Sequence, residues 1–292
     1  MTEKNNQPLL QHTDSRLLAG KIALVSGGAR PGGISEKIVE SFISQGAAVA
    51  FIDIDPRGEK VAHRLQTVGG ECLFVQGDLR QPEVAEHFVQ TAADCLGPPQ
   101  IVVNVVGGSK DSGGPMLLDT KLEQLMNCYM LNVGTAFNLT SAALPYLNRQ
   151  SGDKSVICIG SVNGQEGMGF LGEFSYSCAK SSLGAFVRCA ASAYARFGVR
   201  FNLICPGSVP NPNSATWAER LEDRRVKQRL QELYPLGRWG TPEDVSNMAL
   251  FLASELSSWI TGQTFYVDGG LTGCGGVRVR PDGKWWLPEK AA

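Results

Sequence analysis

The chain predicts an α/β fold of the doubly wound kind: one parallel sheet of seven strands with helices on both faces. Three observations predict it. Short apolar runs alternate with helical stretches along the chain. A glycine-rich turn follows the first apolar run. No linker, composition break or solenoid-length repeat divides the sequence, so a single domain is expected.

Residues 1–18 read as a flexible polar arm. Residues 21–26 (KIALVS) form the first strand, and the stripe of apolar residues at 34, 38, 39, 42 and 43 predicts a helix over 34–44. Residues 47–54 (AAVAFIDI) are a continuous apolar run ending in acid, as in a strand covered on both faces. A helix follows over 57–68, stopped by Gly69 and Gly70. Strands at 72–76, 101–106, 155–159, 200–204 and 264–267 and helices at 81–96, 121–147, 173–198 and 241–253 complete the alternation. The last helix has a marked start: Thr241 as N-cap, Pro242 first, and Glu243 and Asp244 in the opening turn. Between 206 and 213 lies a Pro/Gly/Asn-rich loop, and 214–233 is a charged amphipathic stretch.

Composition narrows the function classes. The 292 residues are 43% hydrophobic and 19% charged, with net charge −1. No apolar run approaches the ~18 residues of a membrane span, and the first twenty residues lack an apolar signal core. No basic run points to nucleic acid. The eight Cys include no C-x-x-C, and most fall in apolar segments; they read as buried thiols in a reducing cytoplasm, without disulfides or zinc. His63 and His87 fall on expected surface helices and His12 in the arm, so neither a metal site nor a Ser-His-Asp triad is expected.

Two features point to chemistry, and their surroundings give them weight. Tyr176 and Lys180 stand four apart on a helix and share a face. A nearby ammonium favours phenolate, which makes Tyr176 a proton shuttle near neutral pH. The turn from Ser26 to Ser35 holds Gly27, Gly28, Gly32 and Gly33, whose backbone N–H groups can approach a diphosphate at a helix N-terminus. Asp53 ends the second strand about twenty residues on, where a carboxylate can hydrogen-bond an adenosine ribose.

Further landmarks follow in order: Asn104-Val105-Val106-Gly107, Asn132 within Leu131 to Gly134, Ile159-Gly160-Ser161, Tyr176-x-x-x-Lys180, Asn202 to Gly207, Pro235 to Val245, and Ile260 to Gly270. This ordered set resembles the classical short-chain dehydrogenase/reductase family over roughly residues 20–270. The resemblance implies a Rossmann-type domain over 19–272, with a substrate lid at about 208–235. It also implies a catalytic tetrad of Asn132, Ser161, Tyr176 and Lys180. Tyr176 would be the acid/base for the alcohol proton, and Ser161 would bind and polarise the substrate oxygen. Lys180 would hold the nicotinamide ribose, and Asn132 would shape its helix so that a water links Lys180 to solvent. Cofactor contacts are implied for Gly27, Arg30, Gly33, Ile34, Asp53, Asp78, Leu79, Asn104, Gly107, Tyr176, Lys180, Pro206, Gly207, Val209 and Asn211. Family members are commonly tetramers, here built on the helices at 121–147 and 173–198.

The chain departs from the family pattern in places. Five residues separate Gly27 from Gly33, so the glycine loop is expanded by about two, and Ser35 stands for the third glycine. Ser35 either packs between helix and strand or faces the phosphates. The spacing from Ser161 to Tyr176 is also about two residues long; a shifted register would put Asn163 at the substrate. Asn211 stands where the family often has a Thr that contacts the nicotinamide amide.

The expected cofactor is NAD, since Asp53 would pair with a ribose hydroxyl and repel the 2′-phosphate of NADP. Arg30 could clamp that phosphate instead. Met168, Phe170 and Trp217, with Ser161 and Tyr176, are the expected substrate contacts, in a mostly apolar pocket. Residues 273–292 form a C-terminal extension that reads as two short arms about Pro281-Asp282-Gly283, a hairpin placed on a neighbouring subunit or on its own. The leading reading is an oxidoreductase moving hydride between NAD(H) and a secondary alcohol or ketone. The alternatives are an NADP-dependent ketone or 3-oxoacyl reductase, a nucleotide-sensing protein without turnover, or a lyase or dehalogenase on this fold.

Overall fold

The structure is a computed structural model that describes residues 16–109, 112–114, 116–164, 174–211, 213, 222–225, 233–274, 278–279 and 285–286. Seven strands form one sheet: β1 (Ile22–Ser26), β2 (Ala48–Asp53), β3 (Cys72–Gln76), β4 (Ile101–Asn104), β5 (Lys154–Ile159), β6 (Val199–Pro206) and β7 (Thr264–Val267). Their order is β3-β2-β1-β4-β5-β6-β7, and each neighbouring pair is parallel. The order reverses between β1 and β4, so the carboxyl ends of these strands open a crevice. The connecting helices are α1 (Ile34–Ser44), α2 (Gly58–Thr67), α3 (Pro82–Leu96), α4 (Leu122–Tyr129), α5 (Thr135–Leu147), α6 (Phe174–Tyr194) and α7 (Pro242–Ala253).

Two apolar layers hold the helices to the sheet, because strand side chains alternate between faces. On β5, Ile157 packs with Val39 and Phe42 of α1 and Leu252 of α7, whereas Val156 and Cys158 pack with Phe88 of α3, Leu139 of α5 and Leu183 of α6. Leu18, at the edge of the expected arm, is buried against the first layer, and its N–H donates to Gln45 O. α7 begins as its sequence predicts: Thr241 and Asp244 form a reciprocal capping box.

Three departures from the expected elements have local causes. β4 stops at Asn104 rather than continuing to Val106, because the Val105 and Val106 N–H groups both donate to Ser26 Oγ at the end of β1. The helix expected over 121–147 is broken into α4 and α5 by a π-helical turn, Met130–Gly134, centred on Asn132. Of the eight Cys, only Cys72, Cys128, Cys158 and Cys205 are buried; Cys95, Cys178, Cys189 and Cys274 are exposed, on the outer faces of helices or near the chain end. Near the C-terminus, Arg278–Val279 and Trp285–Trp286 pair as antiparallel strands β8 and β9. Among the described residues no helix is long and apolar enough to cross a membrane.

Candidate active site

The glycine-rich turn leaves β1 at Ser26 and enters α1 at Ile34, with Gly33 as N-cap. Gly27 has φ +81°, a conformation that favours glycine, and donates to Ile52 O. A Cβ there would come within 2.7 Å of Ser35 Oγ. Ser35 therefore packs against the turn at Gly27. The added residues fold back as a turn in which Gly33 N–H donates to Arg30 O at 3.2 Å.

A brace that sequence reasoning missed holds this turn. Glu36, only 8% exposed, accepts from Gly32 N–H at 2.6 Å and from Arg64 Nη2 of α2 at 2.8 Å. An acid in the first turn of a helix was the available signal. Its carboxylate occupies part of the positive helix terminus and fixes the expanded loop to two helices. From the other side Asn213 Nδ2 donates to Pro31 O at 2.9 Å, and Asn211 Nδ2 lies 3.7 Å from where a Gly33 Cβ would stand. The loop after β6 thus reaches the glycine turn. Its base is tied by Tyr234, whose buried hydroxyl accepts from Ser208 N–H at 2.8 Å. Within that loop Gly207 N–H donates to Val267 O, Pro206 ends β6, and Val209 is half-buried.

At the end of β2, Asp53 is bound by backbone N–H groups on both oxygens: Ala29 donates to Oδ2 and Asp55 to Oδ1, each at 3.1 Å. Asp53 therefore ties the glycine turn to β2. At the end of β3, Asp78 forms an ion pair with Arg80, whose hydrogen bonds hold its carboxyl below the usual range. Leu79 is buried and its carbonyl accepts from Asn138 Nδ2 at 2.9 Å. Asn104 is buried at the end of β4, with Nδ2 donating to Thr140 Oγ1 at 2.9 Å.

The chemical centre is built around Gly107 and Gly108. Asn132 Oδ1 accepts from Gly108 N–H, and Nδ2 donates to Gly108 O and Cys128 O, each at 2.9 Å. A Cβ on Gly107 would come within 2.4 Å of Asn132 Oδ1 and 2.8 Å of Lys180 Nζ, so the strand-end backbone must be bare there. Lys180 is buried at 3% exposure; Nζ donates to Ile159 O at 2.8 Å and lies 5.8 Å from the centre of the Tyr176 ring. Burial pulls its ammonium down to about 8. Desolvation pushes the Cys158 and Cys205 thiols up to about 12, so they are neutral walls rather than nucleophiles.

Ser161 lies two residues beyond β5 and its Oγ accepts from Asn163 N–H at 3.2 Å, starting the turn Val162–Gly164. That turn packs on α6 at Lys180: a Cβ on Gly164 would come within 2.6 Å of the Lys180 carbonyl carbon. The structure therefore gathers Asn132, Gly107, Lys180 and Tyr176 in one place, with the Ser161 turn against the same stretch of helix. Met168, Phe170 and Trp217 lie outside the described residues, as does most of the expected lid. A surface cavity of ≈ 550 Å³ lined by Trp239, Met248, Phe251 and Tyr266 lies elsewhere, between α7 and β7.

These residues fit a dinucleotide: a bare strand-end backbone at Gly107, an N-terminal helix turn rich in glycine, and a carboxylate at the end of β2.

Comparison with known proteins agrees with this geometry. The family model described as "Enoyl-(Acyl carrier protein) reductase" matches residues 27–272. An uncharacterised oxidoreductase of Mycobacterium tuberculosis is 35% identical over 256 residues, 87% of this chain and 93% of that one. A 3-oxoacyl-(acyl-carrier-protein) reductase of Chlamydia pneumoniae is 32% identical, covering 87% of this chain and 98% of its own. Among solved structures, the NADP active-site complex of Pseudomonas aeruginosa RhlG superposes with a TM-score of 0.79 at 29% identity, over 89% of this chain and 99% of that one. With a parallel seven-stranded sheet of this order, and relatives matching along nearly their whole length, the chain belongs to the classical short-chain dehydrogenase/reductase family of oxidoreductases.

Proposed function

We propose that this oxidoreductase moves hydride between NAD(H) and a secondary alcohol or ketone, with Asn132, Ser161, Tyr176 and Lys180 as its catalytic residues. The observation that carries the reading is Lys180 Nζ, buried and 5.8 Å from the Tyr176 ring centre, beside Asn132 and the bare Gly107 backbone. A nicotinamide dinucleotide, when bound, supplies the site that accepts or donates hydride. Tyr176 takes the alcohol proton in oxidation and returns it in reduction. Ser161 Oγ hydrogen-bonds the substrate oxygen and polarises the carbonyl in the reverse direction. The Lys180 ammonium stabilises the phenolate form of Tyr176 and holds ribose hydroxyls. Asn132 holds Gly108 and Cys128 in place and maintains the π-helical turn beside Lys180.

NAD is favoured over NADP by Asp53, whose carboxylate stands at the end of β2 with backbone donors on both oxygens. Gly27, Arg30, Gly33, Ile34, Asp78, Leu79, Asn104, Pro206, Gly207, Val209 and Asn211 complete the proposed cofactor contacts. A second reading, an NADP-dependent 3-oxoacyl or ketone reductase, draws on the names of the Chlamydia and Pseudomonas relatives and on exposed Arg30. A homotetramer is supported by the exposed stripe Leu122, Met126, Met130 and Phe137, which runs from α4 through the π-helical turn to α5. Incubation with NAD or NADP and a panel of secondary alcohols, following absorbance of the reduced cofactor, tests the reading. Turnover only with NADP would select the second reading; failure to bind either dinucleotide would refute both.

A further inference from the structure

Two strand ends at the crevice carry the same short motif. After β2 stands Asp55-Pro56-Arg57, and after β3 stands Asp78-Leu79-Arg80. The geometry is the same in both. Asp55 Oδ1 accepts from Arg57 N–H at 2.9 Å, and Asp78 Oδ1 accepts from Arg80 N–H at 3.0 Å. The guanidinium then closes onto the same carboxylate, with Arg57 Nε 2.9 Å and Nη2 2.5 Å from Asp55 Oδ2, and Arg80 Nε 2.9 Å and Nη2 2.6 Å from Asp78 Oδ2. Each arginine is clipped by the aspartate two residues before it.

The first clip borders Asp53. Asp55 N–H donates to Asp53 Oδ1, and Arg57 feels the Asp53 charge as well as its clip partner. Arg30, exposed in the glycine turn, also helps keep the Asp55 carboxyl low, at about 2, behind the larger effect of Arg57 hydrogen bonds. Four charges, Arg30, Asp53, Asp55 and Arg57, thus meet where β2 ends and the glycine turn passes. An arginine with free donors at such a place would be a bidentate partner for a phosphate. Clipped, Arg57 has the Nε–Nη2 edge of its guanidinium, one of the edges that could grip a phosphate bidentately, spent on Asp55.

We propose that Asp55 is a cofactor-discriminating residue: by clipping Arg57 it withholds a guanidinium from the 2′-phosphate of a phosphorylated dinucleotide. The inference rests on the dinucleotide reading above and goes beyond it. In that reading Asp53 carries the preference. The structure also gives Asp53 the task of tying down the glycine turn through Ala29. Changing Asp53 would loosen binding of either dinucleotide, whereas changing Asp55 leaves that tie in place.

The test is equilibrium titration of the purified full chain with NADH and NADPH, read by energy transfer from protein tryptophan to the nicotinamide. Asp55→Asn is expected to tighten NADPH about tenfold while moving NADH less than about twofold, the scale of one released charge-assisted pair. Adding Arg57→Ala is expected to abolish the gain. Unchanged NADPH affinity in Asp55→Asn overturns the proposal. So does a gain that survives Arg57→Ala, which would mean that simple removal of negative charge suffices. If the unaltered chain binds neither dinucleotide, the cofactor reading fails and takes this inference with it. Both side chains sit at the surface, and circular dichroism of each variant checks that its fold is unchanged.

Discussion

The side chain of Asn132 and the backbone of Gly108 are joined both ways: Oδ1 accepts from the Gly108 N–H and Nδ2 donates to the Gly108 carbonyl, each at 2.9 Å. A third bond runs from Nδ2 to Cys128 O. This one buried amide sets the loop after β4 against the π-helical turn. Asn132→Ala would strand buried polar groups on both sides, costing about 2–3 kcal/mol of stability. Urea denaturation of the variant measures that loss, and a shift of the midpoint near zero would contradict it.

Tyr176 and Lys180 separate by function. Tyr176→Phe keeps the ring and is expected to leave NAD binding nearly intact while lowering kcat about 10³-fold. Lys180→Ala is expected to damage both, because Nζ lies beside Gly107 as well as beside the phenol ring. Steady-state rates and cofactor titration of the two variants make the comparison. A phenylalanine variant that kept most of its activity would be incompatible with the proposed acid/base.

The buried ammonium of Lys180 also predicts a pH dependence of stability. Its folded-state value is drawn down from 10.5 to about 8 by burial. Below pH 8 the group is charged in both states, and the folded state carries the full desolvation cost. Between about 8 and 10.5 the folded protein binds fewer protons than the unfolded chain, so stability rises with pH through that window from this group. Lys180→Met removes the titration. The melting temperature of the variant minus that of the unaltered chain should therefore fall as pH rises from 8 to 10, as read by thermal denaturation in matched buffers.

Glu36 offers a test of the glycine turn. Glu36→Ala removes the acceptor for Gly32 N–H and one of the two carboxylates that pair with Arg64, the other being Glu40. Dinucleotide affinity is expected to weaken about tenfold with kcat little changed, since the loss is of loop order rather than of chemistry. Glu36→Gln keeps an acceptor oxygen and should recover most of the affinity. Isothermal titration calorimetry of the three proteins decides it; equal affinities would show that the brace is dispensable.

At the opposite end of the sheet, buried Arg200 pairs with Asp153 through two bonds of 2.8 Å and also donates to Ser257 Oγ and Leu252 O. Asp153→Ala would leave a buried guanidinium without its counter-charge, costing about 3–5 kcal/mol. Because the pair lies at the starts of β5 and β6, away from the crevice, the residual folded enzyme should keep its KM. A matched loss of KM would place the pair closer to the site than the structure does.

The alternation of apolar runs and helical stripes was enough to read the seven strands and their helices, since strands buried on both faces need continuous hydrophobicity and crossover helices need one apolar stripe. Tyr176 and Lys180 were legible for the same reason: their relation is local, four residues on one helix. Asn132 and Ser161 were placed only through resemblance to a family, because their partners are far along the chain. The π-helical turn was not legible, as nothing in Met130–Gly134 departs from ordinary helix composition.

Short-range pattern therefore determined the fold class, the α6 pair and the capped start of α7. Tertiary structure alone decided that Asp53 binds the glycine turn, that Glu36 and Arg64 brace it, and that Asn213 reaches Pro31 across 182 positions. It also decided that Lys180 is buried beside Gly107. The physical reason is separation. Backbone propensity and side-chain periodicity act over a few residues, whereas a hydrogen bond between distant segments exists only once the packed sheet has brought their ends to one edge.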